Sequence, residues 1–409
     1  MERRELLKIA ASLGAVSVAG RFVTACSAPS TTAPTTGASV GVGAGAGSTV
    51  APGSPPPGPG TTPPRAAPAG YGPLGAVDAN GLRLPAGFTS RIVATSGQAV
   101  GGTGYVWHDN PDGGACFATA DGGWVYASNS ESGPAQGGGV SMVRFAKDGT
   151  IVEARRILAD TAKNCAGGAT PWGSWLSCEE IPTGKVHECY PLENRASAVR
   201  PALGVFSHEA VAVDAANKAL YLTEDQPDGG LYRFRPAAYP DLTAGTLEVM
   251  TEVGGTVGWA VVPDPTAASG DTRSQVPTMR VFTGGEGICL HDGTIFFTTK
   301  GDNRVWSYVP ATNALSVVYD AATSPTPVLS GVDNITASSN GELFVAEDGG
   351  DMQVVQLFGT TVAAVAQVDG VTGSEITGPA FSPDGTRLYF SSQRNPGVTY
   401  EVTGPWHHT

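Results

Sequence analysis

Leu220-Tyr-Leu-Thr-Glu224-Asp225 is a short run of apolar and β-forming residues that ends on two acids. Runs of the same kind recur as Trp124-Val-Tyr-Ala-Ser-Asn129-Ser-Glu131, Trp175-Leu-Ser-Cys-Glu179-Glu180, Ile295-Phe-Phe-Thr-Thr-Lys300-Gly-Asp302, Leu343-Phe-Val-Ala-Glu347-Asp348 and Leu388-Tyr-Phe-Ser-Ser-Gln393. Each reads as the second strand of an antiparallel hairpin. Turn pairs punctuate the chain at Asp112-Gly113, Asp121-Gly122, Asp148-Gly149, Asp228-Gly229, Asp292-Gly293, Asn340-Gly341 and Asp384-Gly385. Such pairs favour hairpin turns because both residues tolerate positive φ. Helical periodicity is nearly absent. The run starts, at 124, 175, 220, 295, 343 and 388, are 51, 45, 75, 48 and 45 residues apart. A period near 45 is that of one four-stranded propeller blade. The long interval marks an insertion between about residues 236 and 275. The expected fold is all-β, a six-bladed β-propeller.

The first strands of the later repeats also open on a polar group, at Cys165, Glu209, Glu286, Asp333 and Glu375. In a hairpin the start of strand one lies beside the end of strand two. The acids therefore collect on one rim of every unit, and a ring of units aims them at one axis. Like charge concentrated in this way calls for bound cations. Hard cations such as Ca²⁺ take several oxygen ligands, which Glu179, Glu180, Glu209, Glu224, Asp225, Glu286, Asp333, Asn334, Glu347 and Asp348 offer. A thiolate among them suits a softer metal such as iron. Clustered metals can polarise a phosphoryl oxygen and clamp an in-line displacement.

The chain of 409 residues is not all propeller. Its start, Met-Glu-Arg3-Arg4-Glu-Leu-Leu-Lys8 followed by a mildly apolar run to Cys26, reads as an export signal over 1–25 and resembles a twin-arginine address. Val23-Thr-Ala-Cys26 resembles a lipobox, so Cys26 is the expected lipid anchor. Residues 27–74 are mostly Ser, Thr, Ala, Pro and Gly and read as a disordered linker. The propeller is placed at 75–409. Without residues 1–25, the remainder holds 20 Lys+Arg against 35 Asp+Glu. An acidic domain with no basic cluster is a poor nucleic-acid binder. The expected partners are small molecules, with membrane contact only through the lipid, and the protein is expected to be a monomer.

Beyond Cys26 five cysteines remain, an odd count that leaves a thiol for another use. Cys178 and Cys189 flank a short excursion and are candidates to bridge neighbouring strands. Cys165, in the glycine-rich Asn164-Cys-Ala-Gly-Gly-Ala-Thr-Pro-Trp172, is the candidate ligating thiolate. His208 precedes Glu209 and is a candidate ligand or acid/base group. Motifs of serine hydrolases, Walker nucleotide sites and zinc fingers are absent from the sequence.

The segment Asn164-Cys-Ala-Gly-Gly-Ala-Thr-Pro-Trp-Gly-Ser-Trp-Leu-Ser-Cys-Glu-Glu180 resembles the signature of the PhoX-type alkaline phosphatases. Phe206-Ser-His-Glu209-Ala, Tyr221-Leu-Thr-Glu-Asp225, Glu286-Gly-Ile288, Asp333-Asn334-Ile, Glu347-Asp-Gly349 and Thr377-Gly-Pro-Ala-Phe-Ser-Pro-Asp-Gly385 follow in the same order. The resemblance implies an exported propeller whose axial cluster of iron and calcium hydrolyses phosphate monoesters. It implies that Cys165 bridges iron ions, that Glu209, Glu286 and Asp333 are further ligands, and that Glu347 and Glu179 or Glu180 lie nearby. Cys165, Glu209, Glu286 and Asp333 are thus the expected catalytic set, with Asn129, His208 and Lys300 on the substrate side. Three places depart from the family pattern. Ser130 replaces a histidine in the Asn-His-Glu that matches Asn129 to Glu131. Gln393-Arg394-Asn-Pro-Gly397 replaces Gln-His-Pro-Gly. Gly284 stands where the family carries a phosphate-holding arginine, a role open here to Lys300 or Arg304. The residues also fit a lactonase using one Ca²⁺ and His208, or a non-enzymatic propeller that keeps Ca²⁺ for stability.

Overall fold

The computed structural model describes residues 70–407. The export signal, Cys26 and the linker up to residue 69 lie outside the described residues. Six antiparallel sheets are arranged as blades. Blade one is Pro111–Ala118, Trp124–Ser130, Gly139–Phe145 and Ile151–Ala159; blade two is Asn164–Ala169, Trp175–Glu179, Val186–Cys189 and Ala198–Val199. Blade three is His208–Asp214, Ala219–Glu224, Leu231–Ala238 and Asp241–Val253, with Thr256–Val261 as an added outer strand. That strand and the loop after it account for the long interval in the sequence. Blade four is Gly285–His291, Thr294–Thr299, Arg304–Val309 and Ala314–Asp320. Blade five is Val332–Ala337, Leu343–Glu347, Gln353–Phe358 and Thr361–Val368; blade six is Ile376–Phe381, Arg387–Ser392, Val398–Thr403 and Thr89–Thr95. The first strand of each blade touches the first strand of the next, and blade six returns to blade one.

The ring is closed by the amino-terminal part of the domain. Thr89–Thr95 pairs with Val398–Thr403 and completes blade six, while Leu82–Pro85 and Leu74–Val77 extend blade five. Tyr71 falls in the stretch whose composition reads as linker, yet it is packed. Its ring stacks on His407 at 4.2 Å and meets Phe88 edge-on at 5.3 Å. Its hydroxyl donates to Glu342 at 2.7 Å.

Packing between blades explains why the second strands are apolar throughout rather than alternating. Successive side chains point to opposite faces of a strand, and both faces of a blade are covered. Leu220 and Leu222 join the core between blades two and three, whereas Tyr221 joins the core between blades three and four. Likewise Leu343 and Val345 pack toward blade four, and Phe344 and Ala346 toward blade six. All five cysteines in the described region are free. This corrects the expected Cys178–Cys189 bridge: Cys178 lies opposite Val186 and Cys189 opposite Trp175, so the two thiols are out of register.

Candidate metal centre on the propeller axis

Each of the six inner strands breaks register near its start. The breaks fall between Pro111 and Gly114, Asn164 and Gly167, His208 and Val211, Gly285 and Ile288, Val332 and Ile335, and Thr377 and Ala380. A bulge of this kind bends a strand and re-aims its side chains. Five of the six bulges carry a ligand-type residue: Asp112, Cys165, Glu209, Glu286 and Asp333. In blade six the acid, Glu375, comes just before the strand. The residue after the acid is small where neighbouring inner strands approach. A Cβ on Gly287 would lie 2.5 Å from the Ile335 nitrogen, and one on Gly113 would lie 2.5 Å from Ala166 Cα.

Side chains of the preceding blade brace several bulges. Asn129 Nδ2 donates to the carbonyls of Cys165 and Ala166 at 3.0 and 2.8 Å. Thr223 Oγ1 donates to the Glu286 carbonyl, Thr298 Oγ1 to that of Asp333, and Thr377 Oγ1 to that of Pro111. Asn129 Oδ1 meanwhile accepts from Trp175 Nε1 and Ser177 Oγ at 2.8 and 2.9 Å. Both polar side-chain atoms of Asn129 are engaged by blade two, Nδ2 at the Cys165 bulge and Oδ1 at the strand beside it, instead of standing on the substrate side as expected.

Four groups of ligand atoms result, each lying within 4.8 Å of one another: Cys165–Glu180–Glu209, Glu209–Glu286–Asp333, Asp333–Asp348–Glu375 and Asp112–Glu131–Glu375. Shared members link them into one ring of eight carboxylates and one thiol. The expected catalytic set Cys165, Glu209, Glu286 and Asp333 is brought together, with Glu180. Glu179 and Glu347 are not in the ring, and here the structure corrects the sequence reading. At each strand end the two consecutive acids point opposite ways. Glu179 accepts from the backbone of Ala162 and Lys185, and Glu347 from that of Ser330 and Gln353. Their partners Glu180 and Asp348 face the ring. His208 is also turned away: its Nε2 donates to the Gly204 carbonyl at 3.0 Å and its ring packs on Phe206. Burial lowers its pKa to about 4, so it is neutral at ordinary pH. Arg304 pairs with Asp302 and Asp320 at 3.0 and 2.9 Å instead of facing the axis.

Asp112 and Glu131 join the ring, and Arg394 lies against it, although the sequence did not point to them; Asp348 and Glu375 take the rim places expected of them. Asp112-Gly113 was expected to form a turn; it is instead a strand bulge. Gln393 Nε2 bridges Asp112 and Glu131 at 2.5 and 2.9 Å. Lys300 Nζ lies 2.8 Å from Glu286 and 3.4 Å from Asp348. The first contact is an ion pair of hydrogen-bond length. Arg394 pairs with Glu375 and, at 3.7 Å, with Glu131.

The electrostatics follow from crowding and burial. Burial, then Glu286, Asp333 and other carboxylates, push Glu209 well above the usual range. Burial with Glu131 and Asp225 raises Glu180 to about 8, and burial with Asp333 and Asp348 raises Glu375 to about 9. Burial also lifts Asp333 to about 7 against the opposing pull of Lys300. The Cys165 thiol is raised by burial and by Asp112, Glu209 and Glu180. Burial disfavours the Lys300 charge, but Glu286, Asp333 and Asp225 outweigh it and keep the ammonium charged.

Glu209 is 0% exposed and neither carboxylate oxygen has a hydrogen-bond partner. A buried carboxylate without donors must hold a proton or face a cation. The donor set of oxygens with one sulfur therefore fits hard cations beside a softer one.

The sequence profile of a family described as alkaline phosphatase PhoX matches residues 125–196 and 183–285. Pseudomonas fluorescens PhoX, solved in complex with vanadate, a transition-state analogue, superposes with a TM-score of 0.68 at 17% identity, over 81% of this chain and 97% of that one. A Bacteroides thetaiotaomicron structural genomics protein of unknown function gives a TM-score of 0.51 at 9% identity, over 77% and 76% of the two chains. No curated protein matches the sequence. The sequence match runs from the second strand of blade one to the first residue of blade four, and over that part the chain is similar to the PhoX alkaline phosphatases, whose six-bladed frame it shares.

Proposed function

We propose that the protein is a metal-dependent phosphomonoesterase of PhoX type, exported to the cell envelope and anchored through Cys26. The observation that carries this reading is the axial ring of eight carboxylates and one thiol, in a chain similar to this family. Cys165, Glu180 and Glu209 form the seat suited to iron; Glu286, Asp333, Asp348, Glu375, Asp112 and Glu131 are all-oxygen seats suited to Ca²⁺. Bound metals would supply Lewis acidity to the phosphoryl oxygens.

The rest of the chemistry belongs to the chain. Asn129, Thr223 and Thr298 fix the bulges and hence the direction of Cys165, Glu286 and Asp333. Lys300 brings a permanent positive charge to the ring. The lactonase reading loses support because His208 is tied to Gly204 and Phe206.

The test is hydrolysis of p-nitrophenyl phosphate by metal-loaded protein. Activity that chelation abolishes and that Glu286→Gln lowers at least about hundredfold is expected. No hydrolysis with metals loaded would refute the reading. Lipid attachment predicts detergent partitioning that Cys26→Ala abolishes; a variant that still partitions would refute it.

A further inference from the structure

We propose that Lys300 and Arg394 together form the clamp for the substrate's phosphoryl oxygens. The inference rests on the phosphomonoesterase reading and assigns Arg394 a role beyond it.

The site is layered. At the bottom, Glu209, Glu286, Asp333 and Glu375 are 0, 2, 5 and 7% exposed. Above them, the side chains of Lys300 and Arg394 are 35 and 41% exposed. An anion arriving from solvent meets these two cations, with the half-buried Asp348 beside Lys300, before it meets the four buried acids. Without them the mouth of the ring would repel a phosphate, because the groups below are carboxylates.

Both cations also reach one acidic group, through different members of it. Lys300 lies against Asp348, Arg394 pairs with Glu375, and Asp348 and Glu375 belong to the single Asp333–Asp348–Glu375 group. A third cation, Lys163, pairs with Glu131, which Arg394 also approaches at 3.7 Å. Lys300 reaches its position from backbone that donates to the Gly284 carbonyl at 2.7 Å, and a Cβ on Gly284 would lie 3.7 Å from Lys300 Cβ. Arg394 presents a planar fork that matches two oxygens of a phosphate, and Lys300 a point charge. Cations bound among the acids would take over their neutralisation and free both side chains to face the anion.

The test measures binding of inorganic phosphate to the metal-loaded full chain by calorimetry, with metal content determined for each variant. Lys300→Gln and Arg394→Gln should each weaken phosphate binding about tenfold or more, at unchanged metal content. Lys300→Arg should keep most of the affinity and Arg394→Lys only part of it, and these two keep the experiment decisive if a glutamine variant does not fold. Unchanged affinity in the glutamine variants would overturn the inference. So would a wild type that binds no phosphate, or a loss of affinity that tracks a loss of metal. A wild type that binds phosphate but hydrolyses no ester would instead refute the phosphomonoesterase reading, while the affinities of the variants still decide the clamp.

Discussion

Replacing Glu209 by glutamine should stabilise the metal-free protein and weaken its response to metal. Glu209 is fully buried without a hydrogen-bond donor, and its pKa lies well above the ordinary 4.5. For such a group the folded state keeps a proton that the unfolded state releases. Its contribution to stability is present below pH 4.5 and is lost as pH rises toward the folded pKa. At pH 8 the penalty is capped by the 3.5 pH units above 4.5, roughly 5 kcal/mol at about 1.36 kcal/mol per unit. Glu286 and Asp333 share the crowding, so the gain from this one position lies below that cap. At pH 5 the same cap is only about 0.7 kcal/mol. Unfolding about 340 residues carries an entropy of roughly 0.7 kcal/mol/K, so the cap at pH 8 corresponds to at most about 7 °C in Tm. Glutamine keeps the size of the side chain and has no proton to hold. In thermal melts with EDTA, Glu209→Gln should therefore melt higher than wild type at pH 8 and alongside it at pH 5. With Ca²⁺ added the order should reverse, because the variant lacks a charged ligand. A variant that melts below wild type in EDTA at both pH values, and gains as much from Ca²⁺, would refute the reasoning.

Glu342→Ala should lower stability without touching hydrolysis. Its carboxylate is buried away from the axis and accepts from Tyr71, Gln356 and His407 at 2.7, 2.6 and 2.7 Å, which ties both ends of the folded domain to blade five. Three donors left unpaired amount to about 2–4 kcal/mol, or about 3–6 °C in Tm, and kcat should be unchanged. A drop in kcat with no change in Tm would contradict this. Gly287→Ala should damage the site itself, since its Cβ would lie 2.5 Å from the Ile335 nitrogen and 2.6 Å from Asn334 Cα. The two inner strands must separate, at about 1–3 kcal/mol, and Glu286 and Asp333 move apart. Hydrolysis should fall about hundredfold. Wild-type kcat and Tm in the alanine variant would show that the close approach is unimportant.

The six-fold repeat was legible in the sequence because a period near 45 and Asp-Gly or Asn-Gly turns are local signals. The direction of the acids was only half legible. Glu179-Glu180 and Glu347-Asp348 are each two acids in a row, and the pleat sends one inward and one outward. Which one faces the axis depends on the sheet's packing, which composition does not carry. The bulges hide further. Asp112-Gly113 has the composition of a turn, and only its pairing across Trp124–Ser130 makes it a ring residue. Thr223 and Thr298 brace the bulges of the next blade, a contact between units far apart in sequence. Their recurrence one residue before the strand end was the available signal. The last strand of blade six is supplied by Thr89–Thr95 from the opposite end of the domain, a long-range pairing without a local cue. Cys165, Glu209, Glu286 and Asp333 were the easiest to find because each opens a first strand.

The most direct test of the central claim is elemental analysis of the native protein, run on wild type and Cys165→Ala beside p-nitrophenyl phosphate hydrolysis. Iron and calcium in the wild type, with loss of iron and of hydrolysis in the variant, is the expected result. Calcium without iron, and no hydrolysis in either protein, would contradict the phosphatase reading and leave the axial ring as a calcium site that stabilises the propeller.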